Sequence, residues 1–238
     1  MNKDTHLSKR LKAVVDMVSP GKGVCDVGCD HGYVSIELVK SNKAPFALAM
    51  DINEGPLMRA KEHIEEFGLH NKIETRLSNG LEKYRPGEAK SLIIAGMGGP
   101  LIKDILSFNE EYTNDFDEYI LSPRSCVDEF RSFLSDNNFR IIDEEMIFED
   151  DKYYVIEKCV KSEDKQVMST KELLFGPVLL KKKHPILLQF LQKEEKKVHD
   201  ILCKLDTQAQ TSDIIKRREE ILIKEAVIKD CLACFLQD

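Results

Sequence analysis

Five short apolar runs interleaved with amphipathic stretches leave this chain few ways to fold. They are "GVCDVG" (23–28), "FALAMD" (46–51), "KIETRLS" (72–78), "SLIIAG" (91–96) and "YILSP" (119–123). Helical patterns fall between them over 31–41, through "EGPLMRAKEHIEEFGL" (54–69), from Pro100 to Leu106 and over 126–136. Pro56 sits in the first turn of the second of these and Gly68 near its end, as helix starts and stops require. Ahead of the first strand, Leu7, Leu11, Val14, Val15 and Val18 recur at helical spacing until Pro20-Gly21 ends the pattern. Strands alternating with helices predict a parallel sheet covered on both faces.

The alternation then breaks. "FRIIDEEMIFED" (139–150) and "KYYVIEKCV" (152–160) read as two strands joined directly around Asp150-Asp151. An open α/β sheet that closes with an antiparallel pair is the architecture of Rossmann-like methyltransferases, a likeness of fold alone. From Ser169 the chain turns helical, with "STKE" as a capping box and Gly176-Pro177 as an interruption. Leu191, Val198 and Leu205 recur every seventh residue, as do Ile214, Ile221, Ile228 and Phe235 beyond the polar "DTQAQTSD". Two antiparallel helices zipped as a coiled-coil hairpin are expected. The predicted division is therefore a catalytic α/β domain over 1–162 and a helical domain over 163–238.

No apolar run approaches the ~18 residues of a membrane span. The opening "MNKDTHLSKRLK" does not read as a signal peptide. Seven cysteines at irregular spacing argue against a disulfide framework and for a reducing cytoplasm. The net charge is −7, but it is unevenly spread: residues 1–162 carry 21 basic and 29 acidic side chains, residues 163–238 carry 14 and 13. Basic clusters stand at Lys9-Arg10-Lys12, Lys181-Lys182-Lys183-His184 and Lys216-Arg217-Arg218. Each is either a solvated face or a nucleic-acid contact.

Ligands of such sheets bind beyond the carboxyl ends of the strands. Gly28 and Gly32 let the first loop approach a ligand, within a segment that also holds Asp26, Cys29 and His31. Asp51, followed by Ile52, ends the second strand at the distance usual for a ribose-binding carboxylate. Asn79-Gly80 follows the third strand, suited to an adenine edge, and Gly96-Met97-Gly98-Gly99 follows the fourth. Asp30 stands where a dinucleotide loop has a glycine, and a carboxylate there repels a pyrophosphate. S-adenosyl-L-methionine carries a sulfonium, an ammonium and no phosphate, so it is the expected cofactor.

"DVGCDHGYVSIELV", "GPLMRAKEHI", "RLSNGLEKY", "IIAGMGG" and "ELLFGPVLL" together resemble the bacterial tRNA (adenine-22-N1)-methyltransferase family, from about Leu7 to Leu205. The resemblance implies a Rossmann-like catalytic domain, a C-terminal coiled coil, S-adenosyl-L-methionine as donor, and methylation of adenine N1 in the D-arm region of tRNA. On that footing Asp30 is the candidate for stabilising charge on the base, with Tyr33 stacking on it or hydrogen bonding to it. Lys9, Arg10, Ser122, Pro123, Arg124, Lys181, Lys182 and Lys183 are candidates for holding the RNA. The chain departs from the family pattern at Asn79, where the family has Asp, at "SPRS" (122–125) and at "DHGYVS" (30–35).

No metal is expected, because Cys231-x-x-Cys234 lacks a second ligand pair at matching spacing. No membrane is expected either, and a monomer is preferred. Three alternatives stay open: a nicotinamide-dependent oxidoreductase, disfavoured by Asp30; a non-catalytic scaffold with a degenerate methyltransferase domain; and a small-molecule methyltransferase.

Overall fold

The computed structural model describes Thr5, residues 7–207 and residues 211–236. Its elements in chain order begin α1 (Lys9–Met17), β1 (Val24–Val27), α2 (Tyr33–Lys40), β2 (Ala47–Asp51), α3 (Glu54–Glu66) and β3 (Ile73–Leu77). Then come β4 (Ser91–Ala95), α4 (Gly99–Ser107), α5 (Glu110–Thr113), β5 (Glu118–Ser122), α6 (Val127–Asp136), β6 (Phe139–Glu149) and β7 (Lys152–Lys161). The C-terminal elements are α7 (Thr170–Phe175), α8 (Pro177–Lys181), α9 (Pro185–Asp206) and α10 (Ser212–Leu236). The chain divides into two compact units, Met1–Val167 and Met168–Asp238.

Among the described residues, the strands of the first unit form one seven-stranded sheet ordered β3-β2-β1-β4-β5-β7-β6. β1 to β5 run parallel, while β7 is antiparallel to β5 and to β6. Both faces of the central strands are apolar and covered, so β1, β2 and β5 are buried at every position. The β6–β7 turn is the tight one the sequence suggested. Asp150 and Asp151 both take positive φ, 50° and 58°, as a two-residue hairpin of matching twist requires. The winding reverses between β1 and β4, whose carboxyl ends therefore open a crevice. α1 is held against this unit by Val14, Val15 and Val18, all buried, each contributing ~1.5–3 kcal/mol. Glu149, at the end of β6, accepts the Lys9 N–H at 2.7 Å and so anchors the N-terminus of α1.

In the second unit the expected capping box is present, with the Glu172 carboxylate accepting the Ser169 N–H at 2.8 Å. The α9 seam buries Leu187, Leu191, Val198, Leu202 and Leu205, and α10 buries Ile221, Ile228 and Cys231. Ile214 and Phe235 are half-buried. Glu194 pairs with Lys224 at 2.7 Å and Asp206 with Arg218 at 2.8 Å, a register that only antiparallel helices allow. Residues 208–210 of the expected polar turn lie outside the described residues. Among the described residues no helix is long and apolar enough to cross a membrane.

One arginine serves two buried carboxylates between α6, β6 and β7. Arg131 Nη2 lies 2.9 Å from Glu144 and its Nε 2.8 Å from Glu157, and all three side chains are buried. One cation cannot neutralise two anions here, so a proton is retained. Burial pushes the Glu157 carboxyl up to about 7, against Arg131 and with the help of Glu144. The folded state then binds more protons than the unfolded chain between about pH 4.5 and 7, and stability falls as pH rises through that window. Glu157→Gln removes the site. Its melting temperature relative to wild type should rise between pH 5 and pH 7.5; a constant difference would show that Glu157 does not hold the proton.

Candidate active site

The loop after β1 turns on Gly28, which takes φ +73°. A Cβ there would stand 2.2 Å from Met97 Cε, so a side chain would push the Met97 thioether aside and carry the strain of the left-handed backbone as well. Four amides of this loop are already committed. Gly28 and Cys29 donate to the Met50 carbonyl at 2.8 and 2.9 Å, and Gly32 donates to Cys29 O at 2.8 Å. Asp30, itself at φ +51°, donates its N–H to Asp51 Oδ2 at 3.2 Å. A phosphate group would find few free donors in this cradle.

The crevice above the loop is a cavity of about 420 Å³ whose walls carry the carboxylates of Asp26, Asp30 and Asp51. Asp51 is buried, accepts the Asn53 N–H at 2.8 Å as well as that of Asp30, and keeps further lone pairs for a ligand. Asp26 is also buried, and its Oδ2 accepts the Ser35 hydroxyl at 2.8 Å. Burial raises its carboxyl to about 6, Ser35 opposes the shift and Asp51 adds to it. Asn79 donates its amide to Glu82 Oε1 at 2.7 Å. A carboxylate accepts only from the NH₂, so the other end of the Asn79 amide is an acceptor.

Of the residues expected at a cofactor, Asp26, Gly28, Cys29, His31, Asp51, Ile52, Asn79, Gly80, Gly96 and Met97 all line this cavity. Asp30, Tyr33, Arg10 and Arg124 line it too. Gly32, Gly98 and Gly99 do not. Gly32 faces Ala60 on α3, where a Cβ would come within 3.1 Å. Gly99 opens α4, and a Cβ there would stand 2.7 Å from the Ser125 carbonyl, so its smallness serves helix packing. Cys29 is buried, and burial pushes its thiol up, which disfavours the nucleophilic thiolate.

The candidates for RNA contact divide similarly. Ser122 is buried and gives its hydroxyl to Val155 O at 2.8 Å, and Pro123 is buried beside it; both are packed at the carboxyl end of β5, an interior strand, not on a surface. Arg124 is exposed, and its N–H donates to Met97 O at 2.8 Å, tying the β5 and β4 loops together. Lys9 is exposed but outside the cavity. Lys181, Lys182 and Lys183 are exposed in the second unit, at the end of α8.

Two neighbours escaped the sequence reading. His63, on α3, stacks on Tyr33 with ring centroids 4.7 Å apart, and its Nε2 lies 3.3 Å from the Tyr33 hydroxyl. His63 Nδ1 lies 3.0 Å from His31 O, an acceptor, so Nδ1 carries the proton and Nε2 accepts from Tyr33. One face of Tyr33 is thereby taken. Tyr154 on β7 stands near both Arg10 and Arg124. Neither residue had a sequence signal, because α3 reads as an ordinary amphipathic helix and "KYYV" as a strand.

A methyltransferase-domain family model matches residues 7–156. The tRNA (adenine(22)-N(1))-methyltransferase of Bacillus subtilis is 30% identical over 231 residues, covering 95% of this chain and 97% of that one. The chain belongs to the tRNA (adenine(22)-N(1))-methyltransferase family. Solved structures agree across the family's full length. A Streptococcus pneumoniae protein solved in complex with S-adenosyl-L-methionine is 33% identical with a TM-score of 0.85, covering 95% of this chain and 99% of that one. TrmK from M. capricolum, solved with S-adenosyl-homocysteine, is 30% identical with a TM-score of 0.82, covering 96% and 99%. The expected Rossmann-like sheet with a C-terminal helical hairpin is thus the architecture of this tRNA methyltransferase family member. Its carboxylate-lined cavity and committed amides suit a cationic, phosphate-free cofactor.

Proposed function

We propose that this chain transfers a methyl group from S-adenosyl-L-methionine to N1 of the adenine at position 22 of tRNA. The observation that carries the reading is the cavity at the switch point of the sheet, walled by the carboxylates of Asp26, Asp30 and Asp51. A nicotinamide dinucleotide would bring a pyrophosphate to that loop against these carboxylates, where four of the loop amides are already bonded within the protein.

Asp51 accepts the ribose hydroxyls, Asn79 accepts from the adenine amino group, Asp26 lends negative charge to the ammonium, and Asp30 faces the sulfonium, which S-adenosyl-homocysteine lacks. Gly28, Cys29, His31, Ile52, Gly80, Gly96 and Met97 shape the cavity around them. Bound there, the cofactor supplies an electrophilic methyl group. Adenine N1 has an in-plane lone pair and needs no base, so His31 has no proton to remove. The protein's contribution is alignment and charge. Tyr33, braced by His63, orients the target base, and Asp30 faces the positive charge that develops on it. Arg10 and Arg124 hold phosphate at the rim. The first unit carries the chemistry; the helical unit, with Lys181, Lys182 and Lys183, holds the body of the tRNA. An enzyme acting on tRNA works in the cytoplasm.

The deciding experiment incubates the full chain with labelled cofactor and unmodified tRNA, digests one portion to nucleosides and maps the modified position in another by primer extension, which N1-methylation arrests. Label in 1-methyladenosine at position 22 supports the reading, and its absence overturns it. A second measurement addresses the ribose contact. Charge-assisted hydrogen bonds are worth ~1.5–3 kcal/mol, so Asp51→Ala should weaken S-adenosyl-homocysteine binding by about one to two decades. Unchanged affinity by calorimetry would remove Asp51 from the cofactor site.

A further inference from the structure

Two guanidinium groups share one aromatic ring at the rim of the cavity. Arg10 Cζ stands 5.4 Å from the Tyr154 ring centroid and Arg124 Cζ stands 6.0 Å from it. The three residues come from α1, the β5–α6 loop and β7. Arg10 Nη1 is buried without a hydrogen-bond partner, beside Gly96, where a Cβ would be 3.5 Å away. Burial and then Arg124 lower the proton affinity of Arg10, while Tyr154, Glu149 and Asp30 raise it. Glu149 brings one negative charge against two guanidinium groups, and its oxygens also accept the backbone N–H groups of Lys9 and Arg10 at 2.7 and 3.4 Å.

Like charges gathered on one ring repel, and one of them has an unmet donor, so an anion reaching both would be held by charge. A π face attracts each cation and holds it in place, but a ring has no acceptor for the N–H groups. Tyr154 is not among the residues lining the cavity, whereas Arg10 and Arg124 both reach its rim. Arg124 is exposed, so an anion arriving from outside meets the pair beside a base that enters. We infer that Tyr154 is a positioning residue whose ring presents Arg10 and Arg124 as a two-armed receptor for a phosphodiester next to the target adenosine. The inference rests on the tRNA-methylating reading above. The other anion within reach is the cofactor's own carboxylate, and the test separates the two.

In the full chain, Tyr154→Ala should raise the KM for tRNA about tenfold and reduce the salt slope of tRNA binding by about one. Affinity for S-adenosyl-homocysteine should stay within about twofold. Tyr154→Phe keeps the ring and should recover most of the tRNA loss. Should the alanine variant not fold, Arg124→Gln at an exposed position must show the same split. Wild-type KM and salt slope in these variants would overturn the inference. So would a parallel loss of S-adenosyl-homocysteine, which would assign the arginines to the cofactor carboxylate. A wild-type chain that binds tRNA without methylating it would sink the proposed reaction instead, while the salt slopes still decide the receptor.

Discussion

Asp30→Asn should lower turnover on tRNA about a hundredfold, the scale of losing one preorganised electrostatic partner of the transition state, and leave S-adenosyl-homocysteine affinity within about threefold. The structure makes this substitution unusually clean. Asp30 occupies the left-handed region at φ +51°, which asparagine tolerates as well as aspartate does. The loop is held by the Asp30 backbone N–H on Asp51, not by its side chain. The carboxylate itself is 70% exposed and approaches His31 Nε2 only at 3.5 Å. An exposed pair of that kind contributes ~0–1 kcal/mol, so the fold should not notice the change. What is lost is a negative charge facing the base, and that loss belongs to kcat. Equal losses in turnover and cofactor affinity would instead assign Asp30 to cofactor binding.

Ending the chain after Val167 should abolish tRNA methylation and leave cofactor binding within about threefold. The cut belongs after Val167 rather than after Ser162. Gln166 stays with the first unit, accepting the Ile141 N–H at 2.7 Å and the Ser135 hydroxyl at 2.6 Å. Val167 is 83% exposed. A cut at residue 162 would strip α6 and β6 of those bonds and confuse misfolding with lost RNA contact. The first unit is the more acidic part of the chain, a poor platform for a polyanion by itself. Charge reversal at Lys181, Lys182 and Lys183 in the full chain is the gentler companion. It should weaken tRNA binding and flatten its salt dependence, since fewer phosphate contacts release fewer counterions. Methylation that survives the truncation, or an unchanged salt slope in the triple variant, would free the helical unit from any part in RNA binding.

The strand ends were the legible part of this protein. Gly28, Asp51, Asn79 and Met97 converge on one cavity because period and turn chemistry place strand ends, and an α/β sheet then gathers them. The β6–β7 hairpin was legible for a similar reason, since two Asp residues between alternating runs leave room only for a tight turn. Packing was not legible. Gly98 and Gly99 read as a ligand loop, yet Gly99 lies against the Ser125 carbonyl. Ser122 read as surface, yet its hydroxyl closes a bond to β7. Both depend on partners distant in the chain, and for Ser122 that partner comes from 33 residues further along. His63 and Tyr154 were silent for the same reason: their meaning lies in residues that the fold alone brings beside them.

The commitment of the loop amides to Met50 and Asp51 also bears on how the cavity could be blocked. A competitor built on a nucleotide would carry its phosphates into carboxylates and find those amides taken. A nucleoside with a protonated amine in place of the sulfonium keeps the charge that Asp26, Asp30 and Asp51 reward. Selectivity over phosphate-binding Rossmann enzymes would then come from one formal charge, with no need for a larger or tighter-fitting inhibitor.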